Sequence, residues 1–149
     1  MIYWFTGQPA SGKTVLAKAL KEHLERKNGN KVFHIDGDEL RTLFVNQNYG
    51  RAGREENIKR AQDIAKFISN DGHDVVVSLV APYRDLREKL KAEGNTKEIY
   101  VHTSDVRGRE HFHVEDYEEP LDNFINMNTT NITPSESLIN LISILHEME

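Results

Sequence analysis

The stretch that most constrains the fold is GQPASGKT, residues 7–14, which matches the pattern G-x-x-x-x-G-K-[ST] at every fixed position. It follows an apolar run at 2–6, which predicts a strand, and it precedes apolar residues at helical spacing from Val15 to Leu24. An ordinary turn that happens to contain glycine and lysine is the alternative. The agreement between the motif and its strand-loop-helix context favours a phosphate-binding loop.

Each residue type in this loop has a physical role. Glycines let the backbone N–H groups approach phosphate oxygens, and the helix that follows adds the positive end of its dipole. Lys13 reaches the outer phosphates, and the Thr14 hydroxyl ligates Mg²⁺. The predicted cofactors are therefore ATP and Mg²⁺, and the predicted nucleotide-binding residues are Gly7, Pro9, Ala10, Ser11, Gly12, Lys13 and Thr14.

The rest of the chain alternates between strand and helix patterns. Further apolar runs predict strands at 31–36, 74–80 and 97–103, and a weaker one at 124–130. Two helices lie between them, and a closing helix begins after Thr133. The predicted inner faces are Ile58, Ala61, Ala65 and Ile68 in the first of these helices, and Leu138, Leu141, Ile142 and Leu145 in the closing one.

This order predicts a three-layer α/β fold in which helices flank a mostly parallel central sheet of about five strands. Residues 104–123 are polar and have no clear period, so they are predicted to form a lid. Nothing in the sequence reads as a linker, and residues 1–149 are expected to form a single domain.

Composition excludes several functions. The chain has no cysteine, which rules out disulfides, thiolate catalysis and cysteine-based metal sites. Its net charge of −5 argues against a general nucleic-acid binder. No apolar run approaches the roughly 20 residues that span a bilayer, and the N-terminus lacks a secretory pattern. We therefore expect a cytoplasmic protein with no membrane partner.

Asp36 and Asp38 lie at the carboxyl end of the second predicted strand, where ligands bind in sheets of this kind. One of these carboxylates can hold Mg²⁺ or accept a proton from an attacking hydroxyl. The alternative for Asp38 is the N-cap of a short helix at 39–44. The third strand ends in Ala81-Pro82 rather than in a metal-binding aspartate. This absence favours Asp36 and Asp38 as the carboxylates that serve the metal.

A basic segment, YGRAGREENIKR at 49–60, stands out in an acidic chain. Arg54 and Asn57 share a helix face in its first turn and can bind a phosphate or sulfate together. Arg41 and Arg84 are further candidates. The alternative is a solvated helix, because Glu56 with Arg60, and Glu55 with Lys59, have the spacing of surface ion pairs.

Four motifs, GQPASGKT, HIDGDELR, YGRAGREENIKR and VAPYRDLRE, occur in this order in about the first hundred residues. Together they resemble adenylylsulfate kinase (APS kinase), the P-loop enzyme family that phosphorylates the 3′-hydroxyl of adenosine 5′-phosphosulfate. The similarity resumes as DYEEP and NTTNITPSES. The predicted catalytic residues are Lys13, Asp38 and Asp36, and the resemblance implies that Asp38 serves near Mg²⁺ and the acceptor hydroxyl.

The same resemblance implies the acceptor site. Arg41, Arg54 and Asn57 would bind the phosphosulfate, and Tyr49 stands where the family has a phenylalanine that stacks on the acceptor adenine. The remaining acceptor-binding candidates are Pro82, Tyr83, Arg84 and Phe112. Two positions depart from the family pattern, since Gly53 replaces an aspartate and Ala81 replaces a serine.

The lid departs further, because it is about ten residues shorter than is usual in the family. Arg107 and Arg109 are candidates to replace the lost cations, and Phe112 to supply a second ring against the acceptor base. His111 and His113 would form a metal pair in one interpretation, and lid surface or a phosphate contact in the other.

The function predicted from the sequence is therefore ATP-dependent phosphorylation of adenylyl sulfate, and a homodimer is possible because the family is often dimeric. Two alternatives stay open. One is a kinase for another small acceptor, such as a nucleotide or sugar derivative. The other is a nucleotide-binding protein without small-molecule turnover, in which the trimmed lid is a partner surface.

Overall fold

The computed structural model describes residues 1–108 and 113–149, and in these ranges it contains five strands and five helices. The strands are β1 (Ile2–Thr6), β2 (Phe33–Asp36), β3 (Val75–Ser78), β4 (Thr96–His102) and β5 (Ile125–Asn128). The helices are α1 (Lys13–Asn28), α2 (Gly37–Leu43), α3 (Arg51–Asn70), α4 (Arg84–Ala92) and α5 (Pro134–Glu147).

The five strands form one sheet in the order β2-β3-β1-β4-β5, and every neighbouring pair is parallel. Phe5 of β1 is in register with Ser78 of β3 and Ile99 of β4. The carboxyl ends of β1, β2 and β3 therefore meet at one edge of the sheet. The chain segments that leave these ends build the pocket described below.

Side chains alternate across the sheet and form a hydrophobic layer on each face. Trp4 and Val77 belong to a cluster with Ile58 and Ala61 of α3 and Leu90 of α4. On the other face, a second cluster joins β1, β3 and β4 to α1 and α5 and includes Phe5, Leu20, Val76, Ile99 and Leu141. The predicted three-layer α/β fold is confirmed, and the sheet is parallel throughout.

The inner faces of the helices differ in detail from the predictions. In α3, Ile58, Ala61 and Ala65 are buried and Ile68 is half-buried. In α5, Leu141 and Leu145 are buried as predicted, and Leu138 is half-buried and packs against the core. Ile142 is half-buried, and Ser137, which was not predicted, is buried. The buried residues of α5 are four apart and lie along one line of the helix, and Leu138 and Ile144 pack against the core beside that line.

Two helix starts were predicted from capping residues. Thr133 caps α5 as predicted, because its hydroxyl accepts a hydrogen bond from the Glu136 N–H at 3.1 Å and Pro134 opens the helix. The cap of α2 is Asp36, not Asp38, since the Asp36 carboxylate accepts from the Glu39 N–H at 3.2 Å. Asp38 lies inside the first turn of α2 and is free of capping.

The described part of the predicted lid, 104–108 and 113–123, contains no helix or strand. Among the helices that the structure describes, none is both long and apolar enough to cross a membrane.

Candidate functional site

The phosphate-binding loop connects β1 to α1 in a tight curl. Ala10 and Gly12 have left-handed backbone angles, with φ of 64° and 99°. A Cβ at Gly7 would lie 2.2 Å from the Val101 carbonyl oxygen, so this position requires glycine. Lys13 opens α1, is buried, and donates from Nζ to the Gln8 carbonyl at 3.2 Å. The curl brings the Lys13 ammonium back over the loop.

A cavity of about 980 Å³ lies beside this loop at the carboxyl edge of the sheet. It contains most of the predicted site residues: Pro9, Ala10, Lys13, Thr14, Asp36, Asp38, Arg41, Tyr49, Arg54, Asn57 and Pro82. Gly7, Ser11, Gly12, Tyr83 and Arg84 do not line it. Phe112 lies outside the described residues. The structure therefore brings the loop, the acidic pair and the basic segment together around one space.

The two aspartates in this pocket have different surroundings. Asp36 uses both carboxylate oxygens, since Oδ2 caps α2 and Oδ1 accepts from the Ser78 hydroxyl at 3.2 Å. Ser78 Oγ in turn lies 2.7 Å from His34 Nε2. Asp38 is exposed, and within residues 1–108 and 113–149 its carboxylate has no hydrogen-bond donor. Asp36 is thus held in place, and Asp38 is available to a ligand.

The oxygen donors at this end of the pocket fit Mg²⁺. Thr14 and Asp38 line the same cavity, and hydroxyl and carboxylate oxygens are ligands that this ion takes. In the described ranges, no group of three or more His, Asp or Glu is placed to hold a metal. A divalent cation here would complete its shell with phosphate oxygens and water, as Mg²⁺ commonly does in kinases.

Arg54 and Asn57 of α3 line the same pocket. The Arg54 guanidinium is 27% exposed and lies 3.4 Å from the Asp116 carboxylate. Asn57 is buried, and its Nδ2 donates to the Gly37 carbonyl at 3.3 Å. Its Oδ1 is buried without a donor among the described residues. Arg54 can contact an anion, and Asn57 Oδ1 can accept a hydrogen bond.

Arg41 of α2 contacts the loop between α2 and α3, which the sequence did not single out. Its Nη1 donates to the backbone and side-chain oxygens of Asn46, both at 3.2 Å, and to the Asn48 carbonyl at 3.0 Å. Its guanidinium lies 4.1 Å from the centroid of the Tyr49 ring. Arg41 therefore orders the loop that carries Tyr49 and also borders the cavity.

Asn46 and Gly53 show why this loop stays close to α3. The buried Asn46 side chain donates to the Gly53 carbonyl at 2.9 Å. A Cβ at Gly53 would lie 2.0 Å from the Asn48 carbonyl oxygen, which no side chain tolerates. The glycine that replaces the family's usual aspartate thus permits the close approach. An asparagine in a polar loop has no periodic signal, so sequence reasoning missed Asn46.

Tyr83 and Arg84 lie behind the pocket wall. Tyr83 is buried, and the Arg51 guanidinium lies 4.2 Å from the centroid of its ring. Arg84 contacts the return of the lid: its backbone N–H donates to the Glu118 carboxylate at 2.8 Å, and its Nε donates to the Glu119 carbonyl at 2.7 Å. In this structure both residues support the wall.

The surface pairs predicted on α3 are found in part. Glu56 and Arg60 form an ion pair at 2.7 Å, as their spacing predicts. Glu55 pairs at 2.8 Å with Arg51, one turn earlier, rather than with Lys59. Arg51 is exposed, and the Arg60 guanidinium lies 4.5 Å from the centroid of the Phe44 ring, so neither lines the cavity, whereas Arg54 does.

In the lid, Arg107 contacts the back of the phosphate-binding loop. Its guanidinium donates to the Ala10 carbonyl at 3.0 Å, to the Asp105 carboxylate at 3.2 Å and to the Thr129 carbonyl at 3.2 Å. His113 is exposed. The predictions for Arg109, His111 and Phe112 lie outside the described residues.

Most of the chain matches a known protein family. The Adenylylsulphate kinase family matches residues 1–119. The chain belongs to this family. The predicted family and the predicted fold class are therefore confirmed, and the enzyme class that follows from the family is that of ATP-dependent kinases.

Individual relatives agree. The chain is 29% identical to the adenylyl-sulfate kinase of Burkholderia ambifaria over 95% of this chain and 90% of that one. It is 35% identical to the adenylyl-sulfate kinase of Buchnera aphidicola subsp. Acyrthosiphon pisum. That match covers 69% of this chain and about half (52%) of the relative's length. The Mycobacterium tuberculosis APS kinase solved with AMPPNP and APS superposes with a TM-score of 0.82 at 25% identity, covering 97% and 96% of the two chains.

Proposed function

We propose that this chain transfers the γ-phosphoryl group of ATP to the 3′-hydroxyl of adenosine 5′-phosphosulfate. One observation carries the proposal: the phosphate-binding loop, called here the donor end, lines the same cavity as Arg41, Tyr49, Arg54 and Asn57, called here the acceptor end. An anionic nucleotide fits the acceptor end, because guanidinium groups bind phosphate and sulfate and an aromatic ring stacks on a base. The M. tuberculosis structure that superposes on this chain contains APS together with an ATP analogue.

At the donor end, the loop N–H groups and Lys13 hold the phosphates and stabilise negative charge as the phosphoryl group moves. Mg²⁺ supplies further charge neutralisation when bound, and Thr14 and Asp38 would hold it. Because phosphoryl transfer needs little covalent chemistry from a protein, positioning and electrostatics account for most of the rate enhancement.

Asp38 lines the cavity together with both ends and accepts the proton of the attacking hydroxyl as the new P–O bond forms and the bond to ADP breaks. Asp38 suits this role better than Asp36, whose two oxygens are occupied by Ser78 and the Glu39 N–H. Asp36 instead fixes the start of α2, which carries both Asp38 and Arg41. Asp36 therefore contributes to catalysis by positioning these two side chains.

Product formation from ATP, Mg²⁺ and adenylyl sulfate tests the proposal, against a panel of nucleosides, nucleotides and sugars with Lys13→Ala as the blank. We expect transfer to adenylyl sulfate alone. Transfer to another acceptor would indicate the alternative small-molecule kinase. No transfer to any acceptor would favour a nucleotide-binding protein without turnover.

Arg54→Ala separates the two ends of the pocket. We expect the KM for adenylyl sulfate to rise about ten- to hundredfold, the loss of one charge-assisted hydrogen bond, with the KM for ATP nearly unchanged. Arg60→Ala is the matched control, because Arg60 is on the same helix but pairs with Glu56 outside the cavity. Equal loss of ATP and acceptor affinity in Arg54→Ala would contradict the assignment of the two ends.

We also propose that residues 1–149 act as one kinase domain, in which 104–123 is the lid. A homodimer and a cytoplasmic location stay predictions. Sedimentation of the purified protein and fractionation of the source cells test them.

A further inference from the structure

Gln8 has no assigned role, yet its side chain makes a double contact with the lid. It occupies one of the variable positions of the phosphate-binding loop. Its Nε2 donates to the Val114 carbonyl at 2.8 Å, and its Oε1 accepts from the Val114 N–H at 2.8 Å. A side-chain amide here makes the same pair of bonds that a neighbouring backbone strand would make. Gln8 thereby joins the loop to residue 114 with two hydrogen bonds of good length.

The segment that Gln8 holds, residues 113–119, is called here the return arm of the lid. It is also fastened along residues 116–119. The hydroxyls of Tyr117 and Thr6 lie 2.7 Å apart, the Glu118 N–H donates to the Pro82 carbonyl at 2.9 Å, and the side chains of three arginines, Arg54, Arg84 and Arg87, contact this part of the arm. Thr6 and Gln8 flank Gly7, so the arm is attached on both sides of the start of the loop. Among these attached residues of the arm, only Val114, which Gln8 holds, lines the cavity.

The position of this contact gives it a consequence for chemistry. The Gln8 carbonyl accepts from the Lys13 ammonium, so the residue that holds the arm also touches the cation at the outer phosphates. Val114 and Lys13 line the same cavity, so displacement of Val114 would remove part of the cavity wall and admit water. Water attacking the γ-phosphorus in place of the acceptor hydroxyl would yield ADP, phosphate and a proton, and would break the same bond to the β-phosphate oxygen.

We propose that Gln8 is a positioning residue that fastens the return arm to the phosphate-binding loop and so couples ATP consumption to transfer. This inference rests on the proposed function. In a chain with a short lid, the fastening holds the segment that remains and keeps water from the transferred group.

The test uses Gln8→Leu and Gln8→Glu in the full chain, and it measures phosphorylated acceptor per ADP and ADP formed without acceptor. Gln8→Leu has a similar size and makes neither bond. We expect the acceptor-independent share of ADP to rise roughly tenfold, since each lost hydrogen bond shifts the arm's equilibrium several-fold. Gln8→Glu keeps an acceptor for the Val114 N–H and lacks the donor, so we expect a smaller rise of about threefold. The KM for ATP should stay near wild type in both.

Gln62→Leu is the matched control. Gln62 Nε2 donates to the Leu86 carbonyl at 2.9 Å between α3 and α4, away from the cavity. This variant should lose stability and keep the wild-type coupling ratio. A wild-type ratio in both Gln8 variants, or the same rise in Gln62→Leu, would overturn the inference. Should Gln8→Leu fail to fold, Gln8→Glu decides.

The inference and the proposed function can fail separately. If wild type transfers to adenylyl sulfate and the Gln8 variants keep its coupling ratio, only the inference fails. If wild type uses another acceptor, the proposed function fails, and the same ratio measured with that acceptor still decides the role of Gln8. If wild type phosphorylates no acceptor, the proposed function also fails, and the rates of acceptor-independent ADP formation by wild type and the Gln8 variants then decide the role of Gln8.

Discussion

Ser78 lies at the end of β3 with its hydroxyl between two titratable groups, the His34 imidazole at 2.7 Å and the Asp36 carboxylate at 3.2 Å. The Ser78 hydroxyl can donate to Asp36 while it accepts from a neutral His34 that carries its proton on Nε2. Burial lowers the pKa of His34 below its ordinary value of 6.5, against the opposing effect of Asp36 and Glu39 and with a small contribution from Lys18 and Lys21. This chain of contacts thus orients the aspartate that caps α2.

His34 should make stability depend on pH. Because its pKa is lower in the folded chain than in the unfolded one, the unfolded chain binds the proton more readily near pH 6. Its contribution is fully present above about pH 6.5 and is lost as the pH falls below that value. Urea unfolding at about pH 5.5 and about pH 7.5 should show a larger loss for wild type than for His34→Asn. Equal losses in the two proteins would exclude this role.

At the scale of elements, a buried charge cluster ties α4 to β4. Arg87 Nε and Lys91 Nζ each lie 2.7 Å from the Glu98 carboxylate, and the Arg87 and Glu98 side chains are 1% exposed. Arg87 also donates to the Ala81 carbonyl at 2.6 Å and to the Glu118 carbonyl. A single helix residue therefore holds a strand, the loop after β3 and the return arm of the lid.

Glu98→Gln tests this cluster. The change leaves two buried cations without their carboxylate, and we expect the free energy of unfolding to fall by about 3–5 kcal/mol. Glu88→Gln is the control, since Glu88 also pairs with Lys91, at 2.8 Å, but is 43% exposed. That change should cost about 0–1 kcal/mol. Urea unfolding measures both changes. Equal losses in the free energy of unfolding would mean that burial of the cluster adds nothing to its contribution to stability.

At the scale of the whole molecule, the cavity joins segments that are far apart in sequence: the phosphate-binding loop, α2, the start of α3, the loop after β3 and Val114. Each leaves the same edge of the sheet or returns to it. A ligand that spans the cavity binds only the folded arrangement of these segments and stabilises the chain as a whole.

Thermal unfolding should report this directly. A non-hydrolysable ATP analogue with Mg²⁺ at a hundred times its Kd should add about 2.7 kcal/mol, or about 5–10 °C in Tm. Lys13→Ala should remove most of that rise. Adenylyl sulfate added afterwards should raise the Tm further in wild type and by less in Arg54→Ala. A full nucleotide response in Lys13→Ala would contradict the role given to the loop lysine.

Much of the fold follows from local patterns. The apolar periods and the turn residues predicted five strands and the helices between them, because a run of side chains reports on the face that an element buries. Strands β2 and β3 are shorter than predicted, since the packing of neighbours decides where an element ends.

The sequence by itself determined the phosphate-binding loop, the parallel character of the sheet and the family, because each depends on residues adjacent in the chain or on motifs that occur in a fixed order. Tertiary structure alone decided that Asp36 rather than Asp38 caps α2, and that Arg54 faces the cavity while Arg84 supports its wall. It also decided that Asn46 holds Arg41 and that Gln8 reaches Val114. The physical reason is that a side chain's partner can lie anywhere in the chain, and only folding brings the two together.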